Sequence, residues 1–219
     1  MFLIIKSTSY FLLVLFIFGC SLVPLNFSNY ENINLQKFSE LNKNKTHILI
    51  NLSNQELTIQ SPYSKKTFPI SSSSYGIGSL RNSFKTPLGA HVISEKIGQG
   101  AKLGSVFKAR KFTGNVIKPI IEKIDIKDDV ITSRILWLDG LELGKNRGGN
   151  VDSKSRYIYI HGTAEEGLIG KPASLGCIRM KNKDVIKLFN RVREGTQVLI
   201  YWALLIKLIQ WKYSLLQFH

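Results

Sequence analysis

Cys177 and His161 stand sixteen residues apart, and their side chains are those of nucleophilic acyl transfer. Read as a strand, Tyr157-Ile158-Tyr159-Ile160-His161 alternates faces, so Tyr157, Tyr159 and His161 share one side and the isoleucines take the core side. The same alternation through Ser174-Leu175-Gly176-Cys177-Ile178-Arg179-Met180 sets Cys177 with Arg179, opposite Ile178 and Met180. A cysteine serving as a small inert hydrophobe belongs on the apolar face. This one does not. A free thiol has a pKa of about 8.5 and is mostly protonated at neutral pH. An adjacent imidazole can take that proton and a guanidinium favours the anion, so the pattern predicts a Cys177 pKa below that of a free thiol. Gly176 lacks a Cβ, which lets its N–H and that of Cys177 approach an oxyanion as donors. No acidic residue is an obvious partner for the second ring nitrogen of His161, which leaves the Gly162 carbonyl as its expected orienter. Between the two groups, residues 162–173 hold three glycines and a proline, the composition of a loop that bends the chain back.

Rival chemistries fit poorly. One cysteine and one histidine fall short of a zinc site, and the chain has neither a CxxC nor an HxxxH pair, so no metal and no other cofactor is expected. A serine triad has no GxSxG to build on.

Charge and the N-terminus set the compartment. The net charge of +15 is scattered, with no basic arm of the kind that grips nucleic acid. Such a diffuse field favours polyanions, whether nucleic acid, anionic lipid or an acidic wall polymer, and charge alone does not choose among them. The export signal at the N-terminus narrows the choice, and no nucleic-acid partner is expected. The apolar run 11–20, FLLVLFIFGC, has the length of a signal-peptide core and is short for a membrane span. Its end, Ile17-Phe18-Gly19-Cys20, resembles a bacterial lipoprotein signal, in which Cys20 is lipidated and becomes the first mature residue. The expected organisation is a signal segment 1–20, a polar tether 21–45, a catalytic domain 46–201 and an amphipathic tail 202–219 that packs on the domain or lies in a membrane interface. That organisation implies a periplasmic or envelope location with a membrane anchor. With Cys20 lipidated, Cys177 has no cysteine to pair with.

The elements that must position Cys177 and His161 are mostly short strands. A hairpin is expected across 46–61, with strands at 67–73, 91–97, 129–142, 156–162 and 196–201. Residues 71–90 read as loop, and the Gly- and Lys-rich stretch 98–115 as a long irregular excursion. One amphipathic helix is expected over 182–195, capped by Asn182, striped by Val185, Ile186, Phe189 and Val192, and stopped by Gly195. The fold class is mainly β (α+β), a sandwich or partial barrel with one helix after the cysteine.

IHGT at 160, SLGCIRM at 174, the following helix and GTQVLI together resemble the L,D-transpeptidase catalytic domain of the YkuD type, as does KTPLGAHVISEKIG at 85–98. The resemblance spans residues 46–201 and implies a β-rich fold of that family. It further implies cysteine acyl transfer on peptidoglycan stem peptides, with Cys177 as nucleophile and His161 as base and later acid. Cys177 would attack the L,D bond after the third residue and release D-alanine. Gly176 and Cys177 carry over as oxyanion donors. Ser174, Arg179 and Tyr159 are the expected substrate contacts, Arg179 toward a stem carboxylate. Leu175 stands where many members have a second histidine, and Arg179 where many have asparagine. The implied acceptor is an amine of another stem or of a wall-attached lipoprotein. The alternatives are an L,D-carboxypeptidase using the same site and a non-catalytic peptidoglycan-binding protein.

Overall fold

The computed structural model describes residues 35–126 and 129–203. The expected signal segment with Cys20, the first part of the tether and the tail from 204 onward lie outside the described residues. In chain order the elements are β1 (His47–Asn51), β2 (Glu56–Ser61), β3 (Ser64–Ser71), β4 (Gly89–Ile97), β5 (Ser105–Lys108), β6 (Lys111–Val116), β7 (Ile131–Gly140), β8 (Tyr159–Thr163), β9 (Ile178–Met180), α1 (Asn182–Phe189) and β10 (Gln197–Tyr201).

The strands pair in the order β4-β10-β1-β2-β3-β9-β8-β7, and β7 pairs back onto β4, so the sheet closes into a barrel. Closure rests on β7, ten residues long, because one strand has to serve several neighbours. β8 pairs with it from Ile131 to Trp137, while β5 pairs with Ile131 and Thr132 and β4 with Ile135 to Gly140. A bulge between Thr132 and Ile135 interrupts the β8 register at the point where β5 gives way to β4. The interior holds Ile48, Ile50, Leu57, Ile70, Ile93, Leu138, Ile160 and Ile178, and α1 packs on them with Val185, Leu188 and Phe189. Each such side chain contributes about 1.5–3 kcal/mol by leaving water.

Four details differ from the sequence expectation. Residues 105–116 form the β5–β6 hairpin instead of an irregular excursion. Its turn, Ala109-Arg110, has φ of 47° and 66°, a conformation normally announced by Asn-Gly, and every residue of β6 is exposed. Neither the turn chemistry nor an apolar alternation therefore marks it. The helix ends at Phe189, and Lys181, not Asn182, occupies the cap position. β8 begins at Tyr159 because Tyr157, with φ of 58°, breaks the extended run. Lastly, residues 35–42 are helical, and Phe38 is buried with its ring edge-on to His47 at 5.9 Å, so the folded body reaches into the segment expected to be tether.

Candidate active site

β8 and β9 run parallel with Ile160 opposite Ile178 and His161 opposite Arg179. That register sets Cys177 beside Tyr159, one pleat along from His161 on the same face. Ile160, Ile178 and Met180 point into the barrel interior, while Tyr159 and Cys177 pack in a second cluster with Phe107, Ile135 and Trp137. The isoleucine and tyrosine alternation read from the sequence is what separates them.

The turn carrying Cys177 is locked from several sides. Ser174 Oγ donates to the Cys177 carbonyl (2.6 Å) and accepts the Gly176 N–H (3.2 Å). Thr86 Oγ1 donates to the Gly176 carbonyl (3.0 Å). Gly176 has φ of 118°, which L side chains rarely adopt, and a Cβ there would stand 3.3 Å from the Lys85 carbonyl oxygen. The sulfur donates to the Tyr157 carbonyl (3.3 Å) and accepts the Tyr159 N–H (3.4 Å).

His161 is fully buried, and its Nδ1 donates to the Gly162 carbonyl at 2.8 Å. A carbonyl can only accept, so that bond places the proton on Nδ1. Nε2 is left as the basic nitrogen, buried and without a hydrogen-bond partner among the described residues. Burial lowers the His161 pKa more than the Asp129 carboxylate and the Gly162 carbonyl raise it. A Cβ at Gly162 would meet the Thr132 carbonyl oxygen at 2.6 Å, so glycine at that position is sterically required.

A family model for the L,D-transpeptidase catalytic domain (YkuD) matches residues 45–200. The chain belongs to that family. The Bacillus subtilis protein named L,D-transpeptidase YkuD is 56% identical over 48 residues, which is 22% of this chain and 29% of that protein. The one named L,D-transpeptidase YqjB, also from Bacillus subtilis, is 54% identical over 45 residues, 20% of this chain and 26% of its own. These matches span less than a third of the relatives' own length. Among solved structures, L,D-transpeptidase 3 of Mycobacterium tuberculosis with a faropenem-derived adduct aligns with a TM-score of 0.45 and 15% identity, over 71% of this chain and 59% of the other. The Enterococcus faecium L,D-transpeptidase C442S mutant aligns with a TM-score of 0.43 and 17% identity, over 71% and 49%.

Several residues of this L,D-transpeptidase domain do work other than that expected. Burial pushes the Cys177 thiol up to about 12, and Asp129 adds to the shift, against smaller opposing effects of the Tyr159 N–H, Arg179 and Arg156. The expected depression fails because burial outweighs the cations, and the Asp129 carboxylate beside Arg179 works against them. Arg179 is buried, with Nη1 2.8 Å from Glu165 Oε2 and Nε 3.0 Å from Asp129 Oδ1. A guanidinium held by two carboxylates is not free for a stem carboxylate. Ser174, fully buried, positions the cysteine turn. Tyr159 is 5% exposed and its hydroxyl accepts from Arg110 Nη1 (3.2 Å), whereas Tyr157 is 52% exposed. Gly176 N–H, expected to face an oxyanion, is held by Ser174 Oγ.

Asn182, expected as a cap, points inward instead. Its Nδ2 donates to the Thr163 carbonyl and Glu166, and its Oδ1 accepts from Thr132 and Ser133. Sequence reasoning missed Asp129, Glu165 and Arg156. Arg156 acts on the thiol electrostatically and donates to the Lys85 carbonyl (2.7 Å), tying down the loop above it. Thr86 belongs to the 85–98 stretch already noted for its resemblance, which was the one available signal.

Two clefts lie near the cysteine turn. One, of about 380 Å³, is lined by Tyr75, Asp125, Asp129, Leu175 and Arg179. The other, of about 400 Å³, is lined by Trp137, Asp139, Arg147, Asp152, Lys154 and Tyr157, the residue whose carbonyl holds the sulfur. Among the described residues, no three His, Cys, Asp or Glu side chains gather to hold a metal ion.

Proposed function

We propose that this protein is a peptidoglycan L,D-transpeptidase working through a Cys177 acyl-enzyme. The single observation that carries the reading is the state of His161. Its Nδ1 is tethered to the Gly162 carbonyl and its Nε2 is an unpartnered base, on the face and strand pair that hold Cys177. Thiol and imidazole both rest neutral, so the proton moves when substrate arrives and not before.

Rotation about the Cys177 Cα–Cβ bond takes Sγ from the Tyr157 carbonyl toward His161 Nε2. Nε2 accepts the thiol proton as Sγ bonds to the carbonyl carbon that joins the third and fourth stem residues. Cys177 N–H, the donor left by the engagement of Gly176, stabilises the oxyanion. The C–N bond then breaks, the imidazolium protonates the departing amino group, and D-alanine leaves a thioester behind. An acceptor amine attacks that thioester and gives its proton to His161, which returns it to the departing thiolate. The acceptor is an amine of a second stem or of a wall-bound lipoprotein; water in its place gives an L,D-carboxypeptidase product.

The test is incubation of the protein with a tetrapeptide-bearing muropeptide. Wild type is expected to release D-alanine and form the cross-linked dimer, and Cys177→Ala to release none. Equal release from both removes the nucleophile assignment. Envelope anchoring through Cys20 belongs to the same reading and is tested by metabolic labelling with a fatty-acid analogue. Wild type should take the label and Cys20→Ala should not.

A further inference from the structure

Arg179 was the residue expected to meet a substrate carboxylate, and its guanidinium is instead neutralised by Glu165 and Asp129. A different arginine, Arg110, contacts the aromatic residues that pack around Cys177. Arg110, at the tip of the β5–β6 hairpin, sets its guanidinium 4.5 Å from the Trp137 ring centroid and 5.1 Å from that of Tyr157. Its Nη1 donates to the Tyr159 hydroxyl at 3.2 Å. These tyrosines are the ones whose backbone grips the sulfur, through the Tyr157 carbonyl and the Tyr159 N–H. Burial raises the pKa of the Tyr159 phenol, Arg110 opposes the rise and Cys177 adds to it. Among the described residues no carboxylate lies within ion-pair distance of Arg110.

A further observation agrees. Arg110 occupies a left-handed backbone position (φ 66°) where glycine or asparagine is the unstrained choice, so the side chain is held there against local preference. Lys154 stands 5.6 Å from the same Trp137 centroid, in a cleft where Arg147 and Lys154 are matched by Asp139 and Asp152. Two neighbouring ring contacts and the Tyr159 hydroxyl hold the guanidinium in place and leave its other N–H groups without an ion-pair partner among the described residues, the donor set that fork-to-fork carboxylate binding uses.

We propose that Arg110 is the specificity-determining residue that binds a carboxylate of the acyl-donor stem peptide beside Cys177. This rests on the acyl-transfer reading above. The carboxylate is either the C-terminal one of the departing residue or a side-chain one on the diamino acid, and the substrates in the test separate them.

Steady-state kinetics would compare the free-acid tetrapeptide with its C-terminal amide and with its third-residue side-chain amide, for wild type, Arg110→Gln and Arg110→Gly. The glycine variant suits the turn backbone and guards against a folding defect. Wild type is expected to lose about tenfold in kcat/KM, mainly through KM, with the one amide that removes the bound carboxylate. Both variants should show that loss already with the free acid and no further loss with the same amide. Undiminished acid-over-amide preference in both variants overturns the proposal while leaving acyl transfer standing. Binding of the same peptides to Cys177→Ala, followed by tryptophan fluorescence, needs no chemistry. An Arg110-dependent acid preference there, with no turnover by wild type, upholds the carboxylate site and sinks the transpeptidase reading. Equal binding of acid and amides to Cys177→Ala overturns the site itself.

Discussion

Burial and one nearby carboxylate govern both reacting groups. The Cys177 thiol, pushed up to about 12, stays protonated across the physiological range, and the buried imidazole of His161 stays neutral. A sulfur that donates to Tyr157 and accepts from Tyr159 is stored, not activated, so the proposed acyl transfer requires a substrate carbonyl to be present before attack begins. Alkylation of free Cys177 by iodoacetamide should therefore keep accelerating beyond about pH 10, with no plateau near the ordinary thiol value of about 8.5. A midpoint at or below that value would contradict the burial argument. The acid side follows from the histidine. Nε2 must be unprotonated to act as base, so kcat/KM falls as pH drops through the His161 pKa. Because that pKa is lowered from 6.5, the acid inflection of the pH–rate profile should lie below 6.5.

Among the elements, the crossing of β7, β8 and the start of α1 matters most for the site. Asn182 joins all three, through Thr132 and Ser133 of β7, the Thr163 carbonyl of β8 and Glu166 of the loop beyond. Asn182→Ala would leave buried hydroxyls and a carbonyl without partners, at about 1–3 kcal/mol for each group left unsatisfied. Chemical denaturation should show a loss of about 2–4 kcal/mol, with the slope against denaturant unchanged. A loss below about 0.5 kcal/mol would mean that water takes over its role. The same crossing steadies His161, since Gly162 packs between the Thr132 carbonyl and Asn182.

For the whole molecule, a closed sheet is the frame of a chain whose net charge is +15. That field attracts an extended acidic polymer more than a short soluble peptide, and salt screens it. Activity on intact sacculi should fall several-fold between about 50 and 500 mM salt, while turnover of a soluble tetrapeptide changes far less. Equal salt sensitivity of the two would show that the charge does not recruit wall. The Asp129–Arg179–Glu165 group also belongs to this scale, because it joins the β7 approach, β9 and the loop after β8 around the two reacting side chains.

Local order along the chain was enough to reveal the alternation of Tyr159, Ile160 and His161, the placement of Cys177 away from Ile178 and Met180, the Gly162 carbonyl as partner of His161 and the family of the domain. Side-chain alternation and turn composition are short-range properties that neighbouring residues dictate. Barrel closure through β4 and β7, the neutralisation of Arg179, the raised thiol and the appearance of Arg110 beside it were decided in three dimensions. Desolvation and charge are sums over groups brought together from distant segments, here 110, 129, 156, 165 and 179, and no spacing along the chain reports that sum.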